Sequence, residues 1–409
     1  MRRREFLLLA CAAAQAQTSR SDLGFVAYVQ RDGLWVRDLP DGAPRQLFGS
    51  AVENPRFSPS GEWIAYDGGV IRARGGPALK LPKGEAVWLP NRDVLAIATD
   101  GGVALFDAPN WTTPRLTRKD AGGALFSPDG SQFVYEAEVE KGKGPGGEPM
   151  RDGQLRRERV AGGSPETLVS QYLMGFEPFV WTRDSRFILY WKDPDFSVSV
   201  QADGLELFRV PAGGGKGQGL GVGSLVHRDL LALAPTGNLL AITTGGGRET
   251  WTGKRIAVLN LDNLSRRYLT GSDVVAIAPA WSPDGKQIAY SAAKDAGQIG
   301  GGPEAQTVLA RRRIWAVNTA GPRAPRQLTS DRRYRDEEPL WSADGQHILF
   351  CRMDTAGGAS LWLMGATGDH PVPVSGPLAL KGPAFPDTWF GFYGYIDWRT
   401  TFDWHRPTG

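Results

Sequence analysis

An aromatic residue, a Ser-Pro-Asp-Gly-like turn and a short apolar strand recur along this chain, and that phrase constrains its fold more than any other feature. The clearest copy is Trp281-Ser282-Pro283-Asp284-Gly285, running into Ile288-Ala289-Tyr290. Phe126-Ser127-Pro128-Asp129-Gly130, Phe57-Ser58-Pro59-Ser60-Gly61 and Trp341-Ser342-Ala343-Asp344-Gly345 repeat it, each followed by an apolar run. Weaker copies start at Trp88, Trp181 and Leu233, which makes seven. Self-similarity at this period signals stacked or radially arranged units, not one continuous core.

Pro presets the backbone at the second position of a tight turn, Asp bonds its own backbone there, and Gly accepts positive φ. The flanks are rich in Val, Ile, Phe, Trp and Tyr, so each phrase reads as a β-hairpin. Two further strand-like runs follow it. Behind Trp281 these are Arg313–Asn318 and Arg326-Gln327-Leu328-Thr329; behind Leu233 they are Arg255–Asn260 and Arg267-Tyr268-Leu269-Thr270. Four antiparallel strands per unit is the content of a propeller blade. The spacings between the aromatic positions are 31, 38, 55, 52, 48 and 60 residues, so several units carry insertions.

The W-S-P-D-G-x-x-I-A-Y phrase and the later R-Q-L-T strand resemble the repeats of TolB-like, WD-type β-propellers, as in the propeller domain of prolyl-oligopeptidase-type peptidases. The resemblance covers nearly the whole chain beyond its first residues. It implies an all-β propeller fold and says little of function, because such propellers host binding, scaffolding and enzymatic roles.

Phe25-Val26-Ala27-Tyr28, Leu34–Leu39 and Arg45–Phe48 form a unit without an opening strand. The aromatic segment Trp389–Trp398 is expected to supply it, closing the ring and removing open sheet edges. The expectation is therefore eight four-stranded blades, with seven as the alternative. Residues 23–400 form one domain and 401–409 a C-terminal tail.

Residues 1–16 read as an export signal: a basic start, an apolar run and a small-residue Ala14-Gln15-Ala16 site. Arg3-Arg4-Glu5-Phe6-Leu7 resembles the twin-arginine consensus, implying a periplasmic or secreted protein. Leu8-Leu9-Ala10-Cys11 also resembles a lipoprotein box, so lipid anchoring at Cys11 is the alternative. Without those residues, which hold three Arg and one Glu, 44 basic residues face 43 acidic ones. Near-neutrality argues against general nucleic-acid binding. No stretch approaches the length of a membrane span. Cys351 is then the single cysteine, expected as a small buried hydrophobe with no disulfide available.

The excess length falls between the second and third strands of several units: Lys141–Met150, Gly245–Lys254 (with Trp251) and Lys294–Ala310. These connections share one face of a propeller with the links between blades, so that face is the expected binding face. An acid and a Pro recur just before the inner strand, as Glu53-Asn54-Pro55, Glu177-Pro178 and Glu338-Pro339. These carboxylates, with Asp336, are expected at the channel mouth, where they hold a cation or a partner's basic group; bonding to backbone N–H groups of neighbouring blades is the bland alternative. Arg332, Arg333, Tyr334 and Arg335 lie in the same connection and suit peptide recognition.

No G-x-S-x-G elbow occurs, so a peptidase site is not expected. The histidines show no H-x-H or H-E-x-x-H spacing, and only His227 falls near the channel. The sequence thus points to an exported, monomeric binding or scaffold module for a protein, peptide or glycan of the cell envelope. No cofactor or catalytic residue is expected, beyond a divalent cation among the channel carboxylates. The alternative is a metal-dependent carbohydrate lyase or hydrolase working at the channel mouth.

Overall fold

The computed structural model describes residues 23–380 and 391–407, apart from 120, 145, 148, 198 and 323. The export signal and Trp389 and Phe390 lie outside these residues. Eight four-stranded antiparallel sheets, each paired in simple meander order, form a propeller. The strands of a blade are named A to D from the channel outward. Blades 1 to 7 open with strands A at Arg56–Phe57, Glu85–Trp88, Ala121–Phe126, Met174–Trp181, Leu231–Leu233, Val274–Trp281 and Tyr334–Trp341. In blade 8, Phe402–His405 is strand A and Phe25–Gln30, Gly33–Asp38 and Arg45–Phe48 are strands B to D.

Closure from both chain ends is as expected, but by a different segment. The strand is Phe402–His405, paired Phe25↔His405 and Tyr28↔Phe402, within what the sequence suggested was a tail. Residues 391–398 cannot serve, because Gly391, Tyr393 and Gly394 all have positive φ and Phe392 folds back onto Tyr395. Phe402 and Trp404 alternate with Asp403 and His405, with the apolar pair buried, as a half-buried strand requires.

Each hairpin turn closes as its residues dictate. In blade 6, Ser282 Oγ donates to Asp284 Oδ1 (2.7 Å), which also accepts the N–H of Lys286 (3.0 Å), and Gly285 adopts φ +71°. Ser127 and Asp129 repeat the arrangement in blade 3. The phrase's aromatic residue joins neighbouring blades. The indole N–H groups of Trp88, Trp181, Trp281 and Trp341 donate to the carbonyls of Arg56, Leu125, Ala232 and Ala280, at 2.8–3.1 Å. In every case the acceptor is the residue before the aromatic position of the preceding blade.

The core lies between the sheets. Leu34 and Val36 of blade 8 pack on Ile64 and Tyr66 of blade 1, while Leu361 and Leu363 of blade 7 pack on Tyr28 and Trp404 of blade 8. Cys351 is fully buried in that second cluster, as expected of a small apolar residue. Three insertions differ in form from simple loops. Gln132–Lys143 and Pro149–Arg159 continue as one long hairpin arm, Pro303–Ala310 is an α-helix, and the Gly245–Lys254 segment wraps the buried Lys254 amine, which donates to the Gly245 carbonyl (3.0 Å).

Candidate functional site

The eight innermost strands surround an axial channel of about 1440 Å³. One end, here the upper, carries the B–C connections and the links between blades. The lower end carries the A–B hairpin turns. Strand A does not run straight past the channel. Three residues before the aromatic position, Asn54, Gly123, Ala278 and Glu338 adopt φ of 54°, 61°, 54° and 52°. In blades 3, 6 and 7 the pairing register shifts at that bulge. A left-handed residue other than Gly costs about 1–2 kcal/mol, so the bulge is a retained feature that re-aims the chain at the channel.

Residues 391–401 form a strap across the upper end. Its Tyr393 carbonyl accepts the Thr250 N–H (3.0 Å), and its Gly394 carbonyl accepts from Arg312 (3.1 Å) and Arg335 (2.8 Å). Only glycine fits at 394, where φ is +80° and a Cβ would lie 2.6 Å from Thr250 Oγ1. Tyr395 is buried, stacks on the His227 ring (centroids 3.7 Å apart) and donates its phenol to Asp229 Oδ1 at 2.7 Å. Trp398 Nε1 donates to Glu337 Oε2 (2.9 Å) and Arg399 Nε to Glu338 Oε1 (2.6 Å). The Thr400 and Thr401 carbonyls then accept from Asn54 and Val29, leading the chain into blade 8.

The electrostatics beneath the strap divide into two kinds. Burial alone would raise Glu337, but the Arg335 and Arg312 guanidiniums outweigh it and hold the carboxyl at about 2. Asp229, Glu338 and Asp397 go the other way. Burial pushes each carboxyl up, Asp229 furthest, with Glu338 and Asp397 adding to its shift. Asp229 and Asp397 touch the solvent of the channel but lie deep within it, and the low-dielectric surroundings penalise their charged forms. Burial likewise pulls His227 down to about 4, so the imidazole beneath Tyr395 is neutral at physiological pH.

The residues singled out from the sequence do not all meet. Glu177 and Glu338 line the channel, whereas Glu53 does not and its neighbour Asn54 does. The spacing from the proline explains this: Asn54, Glu177 and Glu338 each stand immediately before Pro, whereas Glu53 stands two residues before it. Glu177 makes no hydrogen bond or ion pair among the described residues, and burial raises its carboxyl with Arg228 opposing. Across the ladder from it sits Trp191, a buried channel-lining residue whose indole N–H finds no acceptor among the described residues. Asp336 is buried off the channel and holds Arg352 through two bonds (2.7 and 3.0 Å).

The basic-aromatic cluster is scattered as well. Arg332 and Arg333 are exposed, and Arg333 grips Asp331. Tyr334 lies under the Arg352 guanidinium, 4.8 Å from its ring centre, and Arg335 is buried against Glu337. Trp251 is buried too, packed on Val308 and Leu309 of the helix with its N–H on the Ile299 carbonyl (3.2 Å). It anchors the insertion instead of presenting a surface. Channel residues with no signal in the repeat phrase include Asp229, Tyr395, Asp397 and Arg399. Arg183 and Arg406 had one: they stand where other copies have Pro. Among the described residues, no group of three or more His, Cys, Asp or Glu side chains is placed to hold a metal ion. No helix there is long and apolar enough to cross a membrane.

No family model matches the chain, and no curated protein matches it in sequence. Solved structures do match in shape. The Porphyromonas gingivalis dipeptidyl peptidase 4 superposes with TM-score 0.56 at 11% identity, covering 86% of this chain and 58% of that one. A eukaryotic initiation factor gives TM-score 0.55 at 11% identity over 87% of both chains. The putative TolB from Agrobacterium tumefaciens is a looser match, with TM-score 0.36 and 14% identity over 87% of this chain and 91% of that one. At such identities the likeness shows the propeller fold alone.

Proposed function

We propose that the protein is an exported binding module, periplasmic or secreted, that engages a protein, peptide or glycan at the upper end of its channel without chemistry of its own. The observation that supports this most is the contrast between the two ends. The hairpin arm of blade 3, the helix Pro303–Ala310 and the strap all stand at the upper end, while the lower end consists of short turns. Elaborated loops on a rigid scaffold are where recognition concentrates. Beneath them, the unpaired Glu177 carboxylate and the Trp191 N–H offer an acceptor and a donor to an entering group. A basic or hydroxyl-bearing side chain suits that pair.

The test is a thermal-shift screen of the mature protein against peptides, oligosaccharides and divalent ions, since a ligand that prefers the folded state raises Tm. A peptide or oligosaccharide shift that disappears in Glu177→Gln supports the reading. Stoichiometric calcium or manganese, lost in Glu177→Gln or Glu338→Gln, would instead favour a metal-dependent lyase or hydrolase.

A further inference from the structure

The lower end of the channel departs from its own turn pattern in two blades. In five of the eight A–B turns the residue two beyond the aromatic position is Pro, as in Pro283, and in blade 7 it is Ala343. Blades 4 and 8 place Arg183 and Arg406 there instead. Pro presets the turn's backbone, so these two turns forgo the residue that their geometry favours. Both arginines line the channel. With eight blades in ring order, blades 4 and 8 are separated by three blades on either side, so the two arginines belong to different sides of the same opening.

Neither is neutralised. Arg183 bonds through Nε to the Ala234 carbonyl, and Arg406 through Nη1 to the Trp341 carbonyl (2.9 Å). Neither makes an ion pair among the described residues. Deeper in, Arg56 likewise donates only to the Pro55 and Arg399 carbonyls (2.8 and 2.7 Å). The two carboxylates next to them in sequence or strand are committed elsewhere. Asp184 accepts from Thr182 (2.7 Å), Asn238 (2.7 Å) and Arg186 (2.5 Å), and Asp403 accepts the Phe57 N–H (2.8 Å). Arg183 and Arg406 are both exposed, so an anion can reach either guanidinium.

We propose that Arg183 and Arg406 form an oxyanion-binding pair at the lower mouth, each offering its guanidinium to a carboxylate or phosphate group of a ligand that enters from the turn side. The guanidinium fork matches either group in a bidentate manner. This site is separate from the upper-end partner site and does not rest on it.

The test titrates inorganic phosphate and glutarate into the mature protein by calorimetry at matched ionic strength. Saturable binding of either supports the proposal, and which of the two binds distinguishes a phosphate from a carboxylate ligand. Arg183→Gln and Arg406→Gln should each weaken binding about tenfold, the loss expected for one charge-assisted contact. The double variant should show none, and Arg332→Gln, on the exposed surface, should bind as the wild type does. Because the two arginines also bond neighbouring carbonyls, a second measurement avoids substitution. Phenylglyoxal modification of the wild type, mapped by mass spectrometry, should slow at Arg183 and Arg406 with the anion present, and not at Arg332. No saturable binding of either anion, equal binding by the double variant, or equal protection at Arg332 would overturn the proposal.

Discussion

The phenol of Tyr395 donates to Asp229 at 2.7 Å, and burial raises the pKa of both groups, so the strap is pinned to the channel wall by a neutral pair. Tyr395→Phe leaves the Asp229 carboxyl without that donor and should cost about 1–3 kcal/mol in urea unfolding. Asp229→Asn keeps a neutral hydrogen-bonding group of the same shape and should cost less than about 1 kcal/mol. Equal losses in the two variants would contradict a neutral pair.

Glu136 gives stability a pH dependence whose sign can be worked out. Burial pushes its carboxyl up to about 8, Glu177 adding and the Phe176 N–H opposing. A folded-state pKa raised above the unfolded value means stability is fully present below about 4.5 and is lost as pH rises toward 8. His227, pulled down to about 4, acts in the opposite sense up to its unfolded value of about 6.5. Above pH 6.5 His227 no longer opposes, and toward pH 8 the urea midpoint should fall as pH rises, with other raised carboxyls such as Asp229 adding to Glu136. Glu136→Gln should reduce that slope, and an unchanged slope would remove Glu136 as a source of it.

Glu337 is the reverse case, a buried carboxylate held ionised by Arg312 and Arg335. Its contribution is present above the unfolded pKa and is lost as pH falls toward 2. Glu337→Gln leaves two buried guanidiniums undercompensated and should cost about 3–5 kcal/mol. Limited proteolysis should then cut the strap near Phe392 and Tyr395 sooner than in the wild type.

Gly394→Ala tests the strap without touching a charge. The new Cβ would meet Thr250 Oγ1 at 2.6 Å and the Trp251 ring at 2.9 Å, with φ still required at +80°. More than about 1 kcal/mol should be lost. A neutral result would mean that the strap adjusts its backbone freely.

The scaffold was legible because its information is local. Trp281, Ser282, Asp284 and Gly285 make a hairpin from residues within one turn, and seven copies announce seven blades. The eighth was half hidden. Trp404-His405-Arg406-Pro407 keeps the aromatic but lacks Asp-Gly, and its sheet partner is at the other end of the chain. The channel was legible only in part. Glu-Pro pairs point to Glu177 and Glu338, but Glu53 stands one residue further from its Pro than they do, and on an extended chain one residue is a change of side. Asp229 and Tyr395 meet from 166 residues apart, with nothing in either neighbourhood to signal it. Arg332 to Arg335 read as one cluster, yet Arg332 and Arg333 lie exposed in the turn before the strand, and only from Tyr334 does the chain enter the sheet, where Arg335 is buried.

Closure of blade 8 by Phe402–His405 also sets a timetable. A chain leaving the ribosome folds from its first residues onward, and here the first three strands emerge without the one that belongs at their inner edge. Phe25–Gln30 must wait, one row of backbone groups unpaired, until Phe402–His405 is made. Seven finished blades can stand ready during that wait, but none of them can end it. The interval between synthesis of residue 30 and residue 405 is thus the period in which this protein is most open to pairing with the wrong strand, its own or another copy's.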